Sequence, residues 1–346
     1  MSTFAGIELQ IVHSVREIGP GAWDNLSGRR GFASHRWHQF GEAVLRRQRP
    51  VYVLAHCRGR PVGRAAFWLT HDIPLPGVSR PLRRALQAAL GRWPALICRS
   101  PLVDCSGLIL PEPPLRDAVR AAIIDGIQAW ARQNRASFVV LDYLSQNEAQ
   151  TDTWAGEFAP AVVQDPGTAL ALGWRDFDGW LGSLRSAARK SYRHNCEQAA
   201  RLGLQIECLR QPPSVSEALG LVGQVESRYG SPTPWARAML EHFGMVDGTW
   251  ISVNQHGHIR AGCLFLRDGP EAALTLLARD YSVPYAYFQL FYQGIRLAIE
   301  SGAQCLRGGS GALELKRRLG FQPQDNNHVA YAATGPLLGW LGRLAA

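Results

Sequence analysis

Two hairpin signatures, one in each half of the chain, constrain this sequence more than any other feature. Val51 to Ala55 and Val62 to Leu69 are apolar runs rich in β-formers, and they flank Arg58-Gly59-Arg60-Pro61, which punctuates a turn. Trp250 to Val253 and Ile259 to Leu266 flank Gln255-His256-Gly257-His258 in the same way, and a third run, Ala272 to Ala278, follows the turn Arg267-Asp268-Gly269-Pro270. Each half then offers an amphipathic helix and another apolar run: Leu115 to Gln133 before Phe138 to Leu144, and Tyr285 to Glu300 before Gln304 to Leu306. Gly126-Ile127-Gln128 and Gly294-Ile295-Arg296 stand at comparable depth in the two helices. In the second helix Phe288, Phe291, Ile295 and Ala298 recur at helical spacing as a core stripe, and Gly302 lies where a C-cap is needed. Strands interleaved with helices in two similar halves predict an α/β or α+β chain of two tandem units, each a mostly antiparallel sheet flanked by helices. The expected division is 1–157 and 169–346, with 158–168, which holds Pro160, Pro166 and Gly167, as a linker.

A chain of 346 residues with 46% apolar and 19% charged side chains fills its own cores, which excludes a disordered class and suits two domains. Thirty-seven Lys and Arg against twenty-eight Asp and Glu leave a net charge of +9. That excess favours anionic partners such as RNA, nucleotides or acidic lipid surfaces, and it also serves solubility. The seven cysteines are odd in number, with no C-x-x-C pair and no His pair at zinc spacing, so they read as small hydrophobes in a reducing compartment, with no metal site. The N-terminus lacks a basic segment followed by a long apolar run, and no apolar stretch is long enough to span a bilayer. The expectation is a cytoplasmic protein. Its apolar tail, GPLLGWLGRLAA, is expected to pack on the body, with weak membrane-surface contact as the alternative.

One insertion breaks the symmetry of the halves. From Leu184 to Leu202 a helix is expected with Leu184, Ala188, Asn195, Ala199 and Leu202 on one side, ended by Gly203. Arg185, Arg189, Lys190, Arg193, His194 and Arg201 cover the rest, and only Glu197 offsets them. A solvated amphipathic face accounts for such a run, but like charges crowded within a turn repel, and this points to a phosphate-bearing partner.

The stretch from Tyr287 to Pro323 packs an apolar helix, a short strand, a Gly-rich elbow and a basic helix ending in Gly-Phe. Gly308-Gly309-Ser310-Gly311 tolerates positive φ and close approach of a ligand to the backbone. Leu313 to Leu319 then begins a helix whose free N–H groups face an incoming anion, with Lys316 as a mobile cation nearby.

Three pieces of the chain resemble the FemAB-like branch of the GNAT superfamily, which includes the CelD-type acyltransferases and the tRNA-dependent aminoacyl transferases. The first is Phe32-Ala33-Ser34 with Trp37 and Arg49-Pro50-Val51-Tyr52; the second is the Arg185 to Arg201 helix after Trp180-Leu181; the third is Tyr287 to Pro323, where a YYQGI-like helix precedes a GxxG elbow and a Lys before Gly-Phe. The resemblance runs from Phe32 to about Tyr331. It implies two GNAT-like units, with an acyl donor and an amine acceptor meeting at the second unit and the cleft between the units. The chain departs in one place from the GNAT enzymes that use acyl-coenzyme A. Their (Gln/Arg)-x-x-Gly-x-(Gly/Ala) loop, whose amides grip pyrophosphate, is replaced by Arg279-Asp280-Tyr281-Ser282-Val283-Pro284-Tyr285-Ala286, without a glycine. The nearest match, Arg307 to Ala312, follows the helix and carries Ser310 where a glycine belongs.

By this resemblance Lys316 neutralises charge on the donor end or the transition state, and Arg307, Gly308, Gly309, Ser310 and Gly311 bind the donor or its phosphates. Asp280 follows the central strand and is the candidate to accept the amine proton, with Tyr281 or Tyr285 as hydroxyl donor, although an Asp there also suits a turn. Arg185, Arg189, Lys190, Arg193 and Arg201 are the candidate tRNA contacts, since A-form RNA is engaged largely through phosphates and 2′-hydroxyls. Glu226 and Arg228 are candidates to orient the acceptor, or form an intrahelical pair. Glu314 suits the helix dipole, and His256 and His258 flank a turn as solvent histidines. No cofactor is required beyond the donor. Three functions remain: an aminoacyl-tRNA-dependent transferase acting on a peptidoglycan precursor or small metabolite amine, a CelD-type acyl-coenzyme A N-acyltransferase, and a non-catalytic module binding RNA or precursor.

Overall fold

The computed structural model describes residues 6–71, 84, 88, 91–150, 158–162, 165–211, 214–230 and 232–334. They form two compact units: Met1–Gly28, Ala33–Asp165 and Asp325–Ala346 make the first, Arg29–Phe32 and Pro166–Gln324 the second. The first contains strands β1 (Ile7–Val12), β2 (Arg49–Cys57), β3 (Arg60–Thr70), β4 (Ala95–Cys98), β5 (Leu108–Ile109), β6 (Phe138–Leu144) and β7 (Ala159–Val162). Its helices are α1 (Pro20–Ser27), α2 (His35–Val44), α3 (Arg116–Gln133) and α4 (Gln146–Ala149). The second contains β8 (Thr168–Ala171), β9 (Gln205–Leu209), β10 (Asp247–Gln255), β11 (His258–Asp268), β12 (Glu271–Arg279), β13 (Cys305–Arg307) and β14 (Gln322–Pro323). Its helices are α5 (Phe177–Ser183), α6 (Ser186–Arg201), α7 (Val215–Tyr229), α8 (Ala236–His242), α9 (Ala286–Glu300) and α10 (Leu313–Arg318). The last strand, β15 (His328–Ala333), belongs to the first unit.

The two sheets repeat one order. Across the first it is β1-β2-β3-β4-β6-β15-β7, and across the second β9-β10-β11-β12-β13-β8-β14, with one parallel pair in each, β4 with β6 and β12 with β13. Both expected hairpins form, and both close through two residues with positive φ, Arg58-Gly59 and His256-Gly257. Two successive left-handed residues match the twist of the flanking strands, and this is why a glycine stands second in each turn. The crossover helix of each parallel pair, α3 or α9, lies on its sheet. Val119, Ile123 and Ile127 enter the first core, and Leu290, Phe291, Ile295 and Ala298 the second. Gly294 has a close-packing reason: a Cβ there would come within 2.6 Å of the Leu274 side chain.

The expected domain boundaries differ from those observed. Phe158 to Thr168 was expected as a linker, yet Ala159–Val162 is β7, hydrogen-bonded to β15 at the edge of the first sheet. The chain from Asp325 onward also leaves the second unit to supply β15. In the second sheet the equivalent place is filled by β8, which precedes the rest of that sheet in sequence. No local signal marks this exchange, because a strand's partner across a sheet is set by tertiary pairing. The apolar tail, 335–346, lies outside the described residues. No described helix is long and apolar enough to cross a membrane, and all seven cysteines are free.

Candidate functional site

In the second unit, β12 and β13 pair for only three residues, Glu271 with Cys305, Ala272 with Leu306 and Ala273 with Arg307. Beyond Ala273 the two strands part, and no described strand pairs with β12 on this side. Two features widen the split. A bulge in β12 opposite Cys263 breaks its register with β11, and Leu276 within it takes a positive φ of 49°. On the other side Gly309 (φ 70°) and Ala312 (φ 55°) turn the chain away from the sheet into α10. The wedge holds a cavity of about 280 Å³. Its walls are Leu274 to Leu277 of β12, Tyr287 and Phe291 of α9, Tyr229 of α7, the elbow 308–312 and Lys316.

The elbow is pinned from behind. Thr168 of β8 donates from its amide (3.1 Å) and its hydroxyl (2.7 Å) to the Gly309 carbonyl, and the Gly308 amide donates back to the Thr168 carbonyl at 2.8 Å. Lys316, expected as a mobile surface cation, is instead 3% exposed, and its Nζ donates to the same Gly309 oxygen at 3.1 Å. A buried ammonium held at the rim of a largely apolar cavity interacts with a negative charge far more strongly than one in water does. Ser310 and Gly311 line the cavity and are exposed. Helix α10 is six residues long, too short for its N-terminus to serve as the expected anion site.

Arg307 lies outside this group. Its guanidinium crosslinks the sheet, donating to Glu271 (2.5 Å) and to Gln324 (2.8 Å), so the expected role in gripping a donor is replaced by a structural one. Asp280 likewise serves its turn. Its Oδ1 accepts from the Ser282 hydroxyl (2.6 Å) and amide (2.9 Å), and its Oδ2 from Arg260 at 3.2 Å. The Ser282 hydroxyl, helped by the Ser282 amide and Arg260 and opposed by burial, sets its pKa below the usual carboxylate range, which makes it a poor proton acceptor.

Tyr281 stands beside the cavity with the guanidiniums of Arg228 and Arg279 over its ring, at 4.4 and 4.7 Å from the centroid. Burial pushes its hydroxyl pKa up, as does the neighbouring Tyr229 phenol, while the two guanidiniums pull it down. A phenol of raised pKa stays protonated as a donor. Arg279 also lies over Tyr287, at 4.8 Å. Tyr285, the N-cap residue of α9 with φ of 68°, packs edge-on against His194 and is not among the cavity walls. Glu226 and Arg228 do not pair: Glu226 accepts from the Thr233 amide at 2.5 Å, which closes the chain after α7. Tyr229 and Tyr287 escaped the sequence reading because aromatic residues next to a helix end or in a core stripe look like packing.

The basic helix forms over Ser186–Arg201, with Asn195 and Ala199 buried. Asn195 donates to the Tyr292 hydroxyl at 2.9 Å, which docks α6 on α9. Arg185, Lys190, Arg193 and Arg201 are exposed, and no described carboxylate forms an ion pair with them. Arg189 differs: its Nη1 donates to the Leu184 carbonyl (2.5 Å) and the Gly182 carbonyl (3.2 Å), capping α5. Among the described residues no group of three His, Cys, Asp or Glu side chains is placed to share a metal ion.

No family model matches the chain, and no curated protein matches it in sequence. Solved structures do. FemX superposes with a TM-score of 0.64 at 11% identity, over 96% of this chain and 99% of its own. A tandem GNAT protein from the clavulanic acid biosynthesis pathway superposes with a TM-score of 0.57 at 14% identity, over 95% of this chain and 99% of its own. Likeness over nearly the whole of both chains, together with the repeated sheet order, identifies the architecture: the chain has the tandem GNAT fold.

Proposed function

We propose that the protein is an acyltransferase, and that it moves an aminoacyl group from charged tRNA to an amine of a peptidoglycan precursor or small metabolite. The observation that carries this reading is the wedge between β12 and β13, with Lys316 Nζ held against the elbow at its rim. An acyl group lying in the wedge brings its carbonyl to the unpaired side of β12. There a backbone N–H and the Lys316 ammonium are suited to stabilise the developing oxyanion.

The step needs no covalent enzyme intermediate, because an ester is already activated. The amine nitrogen attacks the ester carbonyl, the C–N bond forms, the ester C–O bond breaks, and the proton lost by nitrogen ends on the departing ribose hydroxyl. Tyr281, a protonated phenol, is the candidate to supply a proton to that oxygen.

Two observations favour a tRNA ester over a coenzyme A thioester. Three amides of the loop after β12 are spent internally: Asp280 N donates to the Arg260 carbonyl, Ser282 N to the Asp280 carboxylate and Val283 N to the Asp280 carbonyl. They are therefore occupied, unlike the amides that grip a pyrophosphate. Secondly, among the described residues the exposed cations of α6 have no carboxylate partner, which suits a polyanionic donor. One observation favours the coenzyme A reading: the clavulanic acid pathway protein with the same fold is described as the form without AcCoA. Incubation with labelled charged tRNA and, separately, labelled acyl-coenzyme A decides between them. Discharge of the tRNA to an amine is expected, and discharge of the thioester alone would overturn the tRNA assignment.

A further inference from the structure

On the other side of α7 from Val225 and Tyr229, which line the cavity, an open groove runs past Gly220, Gly223, Gln224, Ser227 and Arg228 to Tyr281. The two glycines keep it clear, since a Cβ built at either meets nothing within 4 Å. At its inner end the rings and guanidiniums alternate: Arg228 and Arg279 both lie over Tyr281, and Arg279 also lies over Tyr287, itself a wall of the cavity.

These two arginines are placed unlike their neighbours Arg307 and Arg260 in the second unit. Arg307 is bound by Glu271 and Gln324, and Arg260 by Asp280. Among the described residues Arg279 and Arg228 have neither a hydrogen bond nor a carboxylate, only aromatic faces; the Arg279 Nε is sealed from solvent with no partner. Two like charges gathered on one phenol ring repel, and a half-buried guanidinium without an acceptor is costly unless something else supplies the counter-charge. The nearest acidic side chain in sequence, Asp280, turns to Ser282 and Arg260 instead.

We propose that Arg279 and Arg228 bind an anionic group, carboxylate or phosphate, of the amine acceptor, with the groove along α7 holding the acceptor's body. The Arg279 guanidinium, 4.8 Å from the centroid of Tyr287, sets that group close to the cavity mouth. The acceptor's amine and its anionic group are thus a few bonds apart. This inference rests on reading the cavity as the donor's site, and Tyr281, between the two, links acceptor recognition to proton transfer.

Isothermal titration of the full chain with succinate and, in parallel, inorganic phosphate tests it without any transfer reaction. At least one anion is expected to saturate the protein, and which one identifies the chemistry; neutral succinamide serves as the blank. Arg279→Gln and Arg228→Gln, the latter at an exposed helix position, are each expected to weaken binding by about tenfold or more. Lys190→Gln with Arg193→Gln is expected to leave it unchanged. Preloading with an amide-linked aminoacyl-adenosine, a mimic of the charged tRNA end, is expected to leave anion affinity intact. Absence of saturable binding, loss of binding in the α6 variant alone, or displacement by the adenosine mimic would each overturn the assignment. A failure of Lys316 variants to lose transfer activity would refute the donor site and leave this titration readable.

Discussion

The ammonium of Lys316 and the carbonyl oxygen of Gly309 are 3.1 Å apart, and Thr168 donates to that same oxygen from its amide and its hydroxyl. One oxygen thus collects the strand β8, the elbow and the helix α10 into a fixed corner. The lysine is both a brace of the elbow and the cation closest to the wedge.

Replacing Lys316 by Met separates these two roles, since the thioether fills similar volume and Thr168 still satisfies the Gly309 oxygen. The expected loss of stability in urea is about 1.5–3 kcal/mol, the scale of one charge-assisted hydrogen bond. The expected fall in single-turnover transfer is about 10²–10³-fold, the scale of removing one oxyanion donor. Loss of stability at an unchanged rate would leave Lys316 as a brace only.

Much of the fold was legible in the sequence. The hairpins at Arg58-Gly59 and His256-Gly257, the helices α3 and α9 and the strand β6 all rest on local periodicity and turn chemistry, which act between near neighbours. The exchange of β15 and β8 was not legible, because it depends on which edge each strand meets. At the candidate site, the elbow and Lys316 were singled out by motif, and they line one cavity. Their environment was not legible: Lys316 is buried and bonded to the Gly309 oxygen, which Thr168, far away in sequence, holds from the other side. Arg307 and Arg279 look equivalent as residues, and only the positions of Glu271 and Gln324 make one a crosslink and leave the other stacked on tyrosines.

Asp280→Asn tests whether the carboxylate is a base or a turn clamp. Because the folded pKa lies below the ordinary value, the carboxylate's stabilisation is complete above the unfolded value of about 3.9 and is lost as pH falls through the folded one. The variant is therefore expected to be less stable than wild type at neutral pH, with the difference closing in acid. Transfer rate is expected to change little once the protein is folded. A pH-rate profile that loses its acid limb in the variant would restore Asp280 as the proton acceptor.

In the first unit His38 is 2% exposed, edge-on to Trp23 and Tyr52, with its Nδ1 unpartnered. Burial, then the charges of Arg64 and His35, push its pKa well below 6.5, so the folded protein holds it neutral. The unfolded chain takes up the proton first, and stability present above about pH 6.5 drains away as pH falls, by up to about 1.4 kcal/mol per pH unit for this one proton. Denaturant titrations across that range are expected to show the slope in wild type and its loss in His38→Leu. An unchanged slope in the variant would place the titration elsewhere.

The cations of α6 make a prediction that depends on salt. Lys190 and Arg193 are exposed and pair with no described carboxylate, whereas Arg189 is occupied by the carbonyls of Gly182 and Leu184. If α6 holds a phosphate backbone, each cation that leaves removes one released counterion. The slope of log affinity against log salt should then fall by roughly 0.7–0.9 per lost contact. Lys190→Gln with Arg193→Gln is expected to flatten the slope for tRNA by about 1.5 on that scale and to leave folding untouched. Arg189→Gln is expected to do the reverse, lowering the melting temperature through the lost cap of α5 with little change in slope. Identical slopes for wild type and the double variant would remove α6 from the donor's path, even if the wedge performs acyl transfer.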